Sequence, residues 1–161
     1  MAFSKKETVL ISFVVVAVLV RFLPHPPNVA PITAVALFAG TFFNKKHWAF
    51  LMPLLAMVIT DMFLGFSTIT PIVYFSFLAI TAVGILFKKM NLGTVLLSSF
   101  VFFVLTNLGV WVLHYPLTPE GLITCFTLAI PFFINSLIGD IFFSAVLLFG
   151  YRYAVKRMQL A

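Results

Sequence analysis

KKETVLISFVVVAVLVRFLPHPPNVAPITAVALFAGTFFNKK, residues 5–46, holds one complete unit of the pattern that decides the fold. Lys5 and Lys6 open it, an apolar run follows, a proline-rich gap interrupts, a second apolar run follows, and Lys45 with Lys46 close it. The unit then recurs. Lys88 and Lys89 follow the fourth apolar run, and Arg152, Lys156 and Arg157 follow the last. The alternate connections, 24–28, 66–70 and 115–120, carry no Lys or Arg. Short loops rich in Lys and Arg stay on the cytoplasmic side of a membrane, so the alternation predicts both the number of crossings and their direction. The expected fold is an all-α polytopic membrane helix bundle of six transmembrane helices, with both termini cytoplasmic.

Composition agrees. Hydrophobic residues make up 63% of the chain, charged residues 9%, and the mean hydropathy is +1.18, outside the range of water-soluble globular domains. Six spans of roughly 20 residues each consume most of the 161 residues and leave one integral membrane domain over 1–161. The net charge of +6 does not point to nucleic acid, because the basic residues stand in clusters at span ends and not in a patch interleaved with exposed aromatics. Cys125 is the single cysteine, which excludes an intramolecular disulfide and fits a small packing residue. Lys5 and Lys6 before an apolar run resemble a signal peptide, yet Arg21 and prolines stand where a small-residue cleavage site would be, so a retained first helix is expected.

Proline sets the helix limits. Pro24, Pro26 and Pro27 end helix one, expected over 8–23. Helix two is expected over 28–43, about 16 residues or roughly 24 Å, short of the ~30 Å hydrocarbon core. With Lys45 and Lys46 at the inner interface, its start must sink below the outer surface and present free amides and partial positive charge to a depression. Helices three, four and five are expected over 47–64, 71–87 and 92–114. Residues 121–151 are too long for one crossing, and Pro131 divides them. A short outer-surface helix near 119–129, capped by Thr118, is therefore expected to lie over the outer mouth, with helix six over 131–151.

On this topology the intramembrane polar residues gather in the outer half: Arg21, His25, Asn28, Asp61, Asn107, Trp111, His114, Asn135 and Asp140. Ionisable groups inside a bilayer cost at least ~2.5 kcal/mol at the helix centre, so several together imply a wet or paired environment. Each has a plainer reading too. Arg21 and Asp61 suit an ion pair, Asn107 and Asn135 suit interhelical hydrogen bonds, and Trp111, Tyr115 and His47 suit the interface. Asp140 is the hardest to explain by packing, and it needs a partner or a proton. Ala30, Ala34, Ala36 and Gly40 form overlapping small-xxx-small pairs that let another helix approach, from within the protein or from a partner.

The segments RFLPHPPNVAPITAVALFAGTFF (21–43), HWAFLMPLLAMVITDMFLGF (47–66), TNLGVWVLHYPLTPEGL (106–122) and PFFINSLIGDIFFSAVLLFG (131–150) resemble a small bacterial membrane family of unknown function over nearly the whole chain. More remotely, the size, the span count, the Pro-containing entry to a helix and the Asp61-to-Gly65 exit are similar to the substrate-binding S components of energy-coupling-factor vitamin transporters. That resemblance implies uptake of a small vitamin-like or cofactor-like molecule through an outward-open pocket in the bacterial inner membrane. It also implies a separate transmembrane coupling subunit and cytoplasmic ATPases as partners, with Ala30, Ala34 and Ala36 as docking residues. Their position near the outer end of helix two departs from that role.

Within such a pocket, Arg21, His25 and the helix start at Asn28 suit a carboxylate or phosphate, and Trp111 a planar ring. Two other readings stay open: an accessory subunit of a larger membrane complex whose polar groups lock its helices, and haem or corrin binding through His25 and His114. No enzyme is expected. Gly139-Asp140 matches part of an intramembrane aspartyl protease motif, but Leu137 stands where that motif needs glycine. No P-loop, HExxH or GxSxG occurs, and no resident cofactor or metal is expected.

Overall fold

The computed structural model describes residues 5–23 and 28–158. Six helices follow one another: α1 (Lys5–Val20), α2 (Ile32–Phe42), α3 (Lys46–Leu64), α4 (Thr70–Phe87), α5 (Leu92–His114) and α6 (Pro119–Arg157). There is no strand among the described residues. Four helices, α3 to α6, are long and apolar enough to cross a membrane, as a membrane protein requires. With 16 and 11 residues, α1 and α2 are shorter.

The short helix is the hub. Every residue from Pro31 to Gly40 is buried, and α2 touches each of the other five helices, most extensively α4. Small side chains make this possible: Ala34, Ala36 and Ala39 are at most 1% exposed, and Gly40 lies directly on Thr81 and Gly84 of α4. The close approach that the Ala/Gly spacing allows is therefore made inside the protein. Around the hub, Phe38 and Phe42 meet Tyr151 of α6 at ring-centroid distances of 5.4 and 4.8 Å. The outer surface is apolar, with Phe63, Leu86, Phe100, Ile123 and Phe149 all more than half exposed, which suits contact with lipid chains.

Several expected boundaries move. Helix two starts at Ile32 and not at Asn28, because Asn28 has a left-handed φ of 65° and Pro31 disfavours helical backbone at the residue before it. At 11 residues α2 is about 16 Å long, roughly half the hydrocarbon thickness. Helix one ends at Val20, and the amides of Arg21, Phe22 and Leu23 tighten onto the carbonyls three residues back. The separate helix over 119–129 does not form: α6 runs unbroken for 39 residues through Pro131, so those residues make no separate lid. Cys125 and Ala129 are buried, and the Cys125 thiol reaches the Asn107 carbonyl at 3.5 Å, which docks the first third of α6 along α5. Pro131 is exposed, and a membrane helix tolerates the single hydrogen bond it removes.

The start of α5 is secured by a capping box in which Asn91 and Thr94 satisfy one another's amides. Gly93, within that first turn, has only the Asn91 side chain near the position of a Cβ, at 3.5 Å. Gly93→Ala is expected to be neutral or to stabilise by up to about 1 kcal/mol, read as an unchanged or raised thermal midpoint in detergent.

Candidate functional site

Because α2 fills only half the depth of the bundle, a hollow remains between its start and the far ends of the other helices. Its larger chamber measures about 270 Å³ and is bounded by α4, α5, α6 and Asn28. A second chamber of about 170 Å³ lies against the first turn of α2 and shares Asn28, Val73, Phe102 and Ser136 with the larger one.

The α5 wall shows why the sequence builds a site here. Ser99, Phe102, Phe103, Thr106, Asn107 and Val110 recur at spacings of three and four, so they share one helical face, and all six line the larger chamber. Phe103 meets Phe133 of α6 at 4.5 Å between centroids, and Phe102 stacks on Phe77 of α4 at 5.2 Å. The Asn107 Nδ2 donates to the Phe103 carbonyl at 2.7 Å, one turn back on its own helix. Its Oδ1 has no partner among the described residues, so it remains able to accept from a ligand in the chamber. The Asn107 side chain therefore makes no bond to another helix among the described residues, and only its backbone carbonyl is reached across helices, by Cys125.

Asp140 sits in the smaller chamber at 2% exposure. The Ser99 hydroxyl donates to its Oδ2 at 2.7 Å. Ile32 and Thr33, from the first turn of α2, line that chamber with it. The chamber at the start of α2, where a ligand anion was expected, thus carries the protein's own Asp140.

Arg21 lines the same chamber and is paired. Its Nη2 lies 2.8 Å from Asp61 Oδ1, its Nη1 donates to the Thr60 hydroxyl, and the Met57 sulfur is 3.3 Å away. The Tyr74 hydroxyl donates to Asp61 Oδ2 at 2.9 Å, so the pair ties α1, α3 and α4 together.

The remaining expected residues stand apart from both chambers. Trp111 donates from Nε1 to the Pro116 carbonyl at 3.0 Å and secures the turn after α5. His114 shares a 3.0 Å hydrogen bond with Thr68, joining that end of α5 to the α3–α4 connection. Asn135 is half-buried and lines neither chamber, whereas its neighbour Ser136 lines both. His25 lies outside the described residues. Of the small residues of α2, Ala30 borders the smaller chamber, while Ala34, Ala36 and Gly40 are enclosed by neighbouring helices. Among the described residues no three or more His, Cys, Asp or Glu side chains are grouped as a metal site would need.

Sequence reasoning missed Ser99, Phe102, Phe103, Thr106 and Ser136. Part of the signal for the α5 set was present, since steps of four back from Asn107 reach Phe103 and Ser99, while Phe102 and Thr106 stand on the adjoining strip of the same face. Thr60, which accepts from Arg21, carried no such signal.

No curated protein and no solved structure matches the chain. A family model matches residues 1–161: the chain belongs to the family of unknown function DUF6580.

Proposed function

We propose that this protein is a substrate-binding membrane component, comparable to the S components of energy-coupling-factor transporters, that takes up a small vitamin-like or cofactor-like molecule through the hollow above α2. In this reading all six helices cross or enter the inner membrane of a bacterium, the termini and basic clusters are cytoplasmic, and the hollow opens outward. One observation carries it: a half-length central helix, buried from its start to Gly40, leaves chambers walled by phenylalanines and edged by Asn28, Thr106, Asn107 and Ser136. Apolar and aromatic walls with a few convergent polar groups are the composition of a small-molecule site.

The pairing of Arg21 with Asp61, and the place of Asp140 beside α2, leave uncharged hydrogen-bonding groups facing the larger chamber. The favoured ligand is a flat organic molecule with hydrogen-bonding edges, held by Phe102, Phe103 and Phe133 in the role assigned from sequence to Trp111. Docking of a coupling subunit would fall to a face other than the small residues of α2, which are already packed.

Native mass spectrometry of the gently purified protein, with absorbance from the same sample, is expected to show a bound small organic mass. Asn107→Leu is expected to weaken its retention about 2- to 10-fold without lowering the thermal midpoint, the effect of losing one hydrogen bond. Retention unaltered by Asn107→Leu removes the assignment of this chamber.

A second reading, an accessory subunit of a larger membrane complex, is favoured by a specific observation. Arg21 and Asp140 both find their partners within the chain, as in helices locked by polar groups. Reproducible copurification with a large partner and an empty chamber would support it.

A further inference from the structure

At the opposite, basic end of the bundle, a cavity of about 360 Å³ lies between the start of α5 and the last third of α6. Ile141, Ala145, Leu148 and Arg152 line it at spacings of four, three and four, so they form one stripe of α6. Ser144 lines it as well. It is 4% exposed, and its hydroxyl has no hydrogen-bond partner. Arg152 is exposed and makes no ion pair or hydrogen bond among the described residues.

The Ser99–Asp140 hydrogen bond sets the register of the antiparallel helices α5 and α6. Stepping one turn at a time toward the basic end places Val95 opposite Ser144 and Asn91 opposite Leu148. The start of α5 therefore lies one turn below Arg152 and one turn above Ser144. Its first amides, at Leu92 and Gly93, carry partial positive charge, and Lys88 and Lys89 immediately precede Met90 and Asn91 in the cavity wall.

We propose that this cavity holds an anionic diacyl phospholipid of the adjacent leaflet. The phosphate sits between Arg152 and the start of α5, an ester carbonyl just below it accepts from the Ser144 hydroxyl, and an acyl chain runs past Ile141 toward the middle of the bundle. The descending order of cation, helix start, hydroxyl and apolar wall matches the order of groups along such a lipid. Basic pockets between transmembrane helices on the cytoplasmic side select anionic head groups in the same way.

The inference rests on the membrane reading alone. A protein that extracts from cells without detergent refutes that reading, whereas the comparison that follows tests the lipid site in protein that needs detergent. The full chain, exposed to equal amounts of phosphatidylglycerol and phosphatidylcholine, is examined by native mass spectrometry. Phosphatidylglycerol is expected to stay bound under activation that strips phosphatidylcholine. Arg152→Gln is expected to lower its retention about tenfold, and Ser144→Ala a few-fold. Arg157→Gln, whose guanidinium already engages Tyr153 at 3.1 Å, is expected to leave it unchanged. Equal retention of the two lipids, or equal effects of Arg152→Gln and Arg157→Gln, overturns the proposal.

Discussion

Gly40→Val is expected to cost about 3 kcal/mol or more and to lower the thermal midpoint in detergent by on the order of 10 °C. The reason is backbone against backbone. A Cβ on Gly40 would run into the Thr81 carbonyl and stand 3.1 Å from the Cα of Gly84. On the other helix, a Cβ on Gly84 would come within 2.7 Å of the Leu37 carbonyl oxygen and 2.9 Å of Gly40 itself. No flexible side chain can yield here, so α2 and α4 must separate. Since α2 also touches every other helix, the separation propagates through the hub. Gly84→Val is expected to behave alike, and combining the two should not restore stability, because both push the same helices apart. A midpoint for Gly40→Val within ~2 °C of the parent would mean that the two backbones do not meet.

Asp61→Leu is expected to cost about 3 kcal/mol, near the lower end for a broken buried ion pair. The Arg21 side chain is 18% exposed and that of Asp61 only 5%, so removing the carboxylate strands a guanidinium with little water to receive it. Thr60 and Met57 remain as neighbours, but neither carries charge. The double variant Arg21→Met/Asp61→Leu is expected to recover most of the loss, because a buried pair replaced by apolar side chains is often close to neutral. It should fall short by about 1 kcal/mol, since the Tyr74 hydroxyl loses its acceptor. A double-mutant cycle on thermal unfolding reads the coupling directly. If the single variant costs less than ~0.5 kcal/mol, the pair is solvated and contributes as an exposed surface pair would.

The parts of the fold legible in the sequence were those set by local chemistry. The ends of α5, Leu92 and His114, were read directly, because Asn91 caps one end and Pro116 follows the other. The end of α4 before Lys88 and Lys89 and the span of α3 to Leu64 followed from basic pairs and from Gly65. Pro131 misled: proline breaks a helix when its surroundings do not compensate, and here the packing of Cys125 and Ala129 against α5 carries α6 straight through. At the candidate site, Asn28, Asn107 and Asp140 were legible as polar residues of the expected outer half, while Trp111, His114 and Asn135 were read into the same half and line neither chamber. Depth follows from counting residues along a helix, but facing depends on rotation, which a chain apolar on every side does not record in its sequence.

By itself, then, the sequence determined the all-helical class, most of the helix limits and the alternation of connections with and without Lys or Arg, because prolines, caps and paired lysines act within a few residues of where they stand. Only the tertiary structure decided that the shortest helix is the centre, that Asp140 is met by Ser99, and that a hollow remains above α2. Those outcomes depend on which faces meet across helices far apart in the chain. In a protein whose outward-facing and inward-facing side chains are both largely apolar, close contacts such as Gly40 on Gly84 select the faces, and hydrophobicity does not.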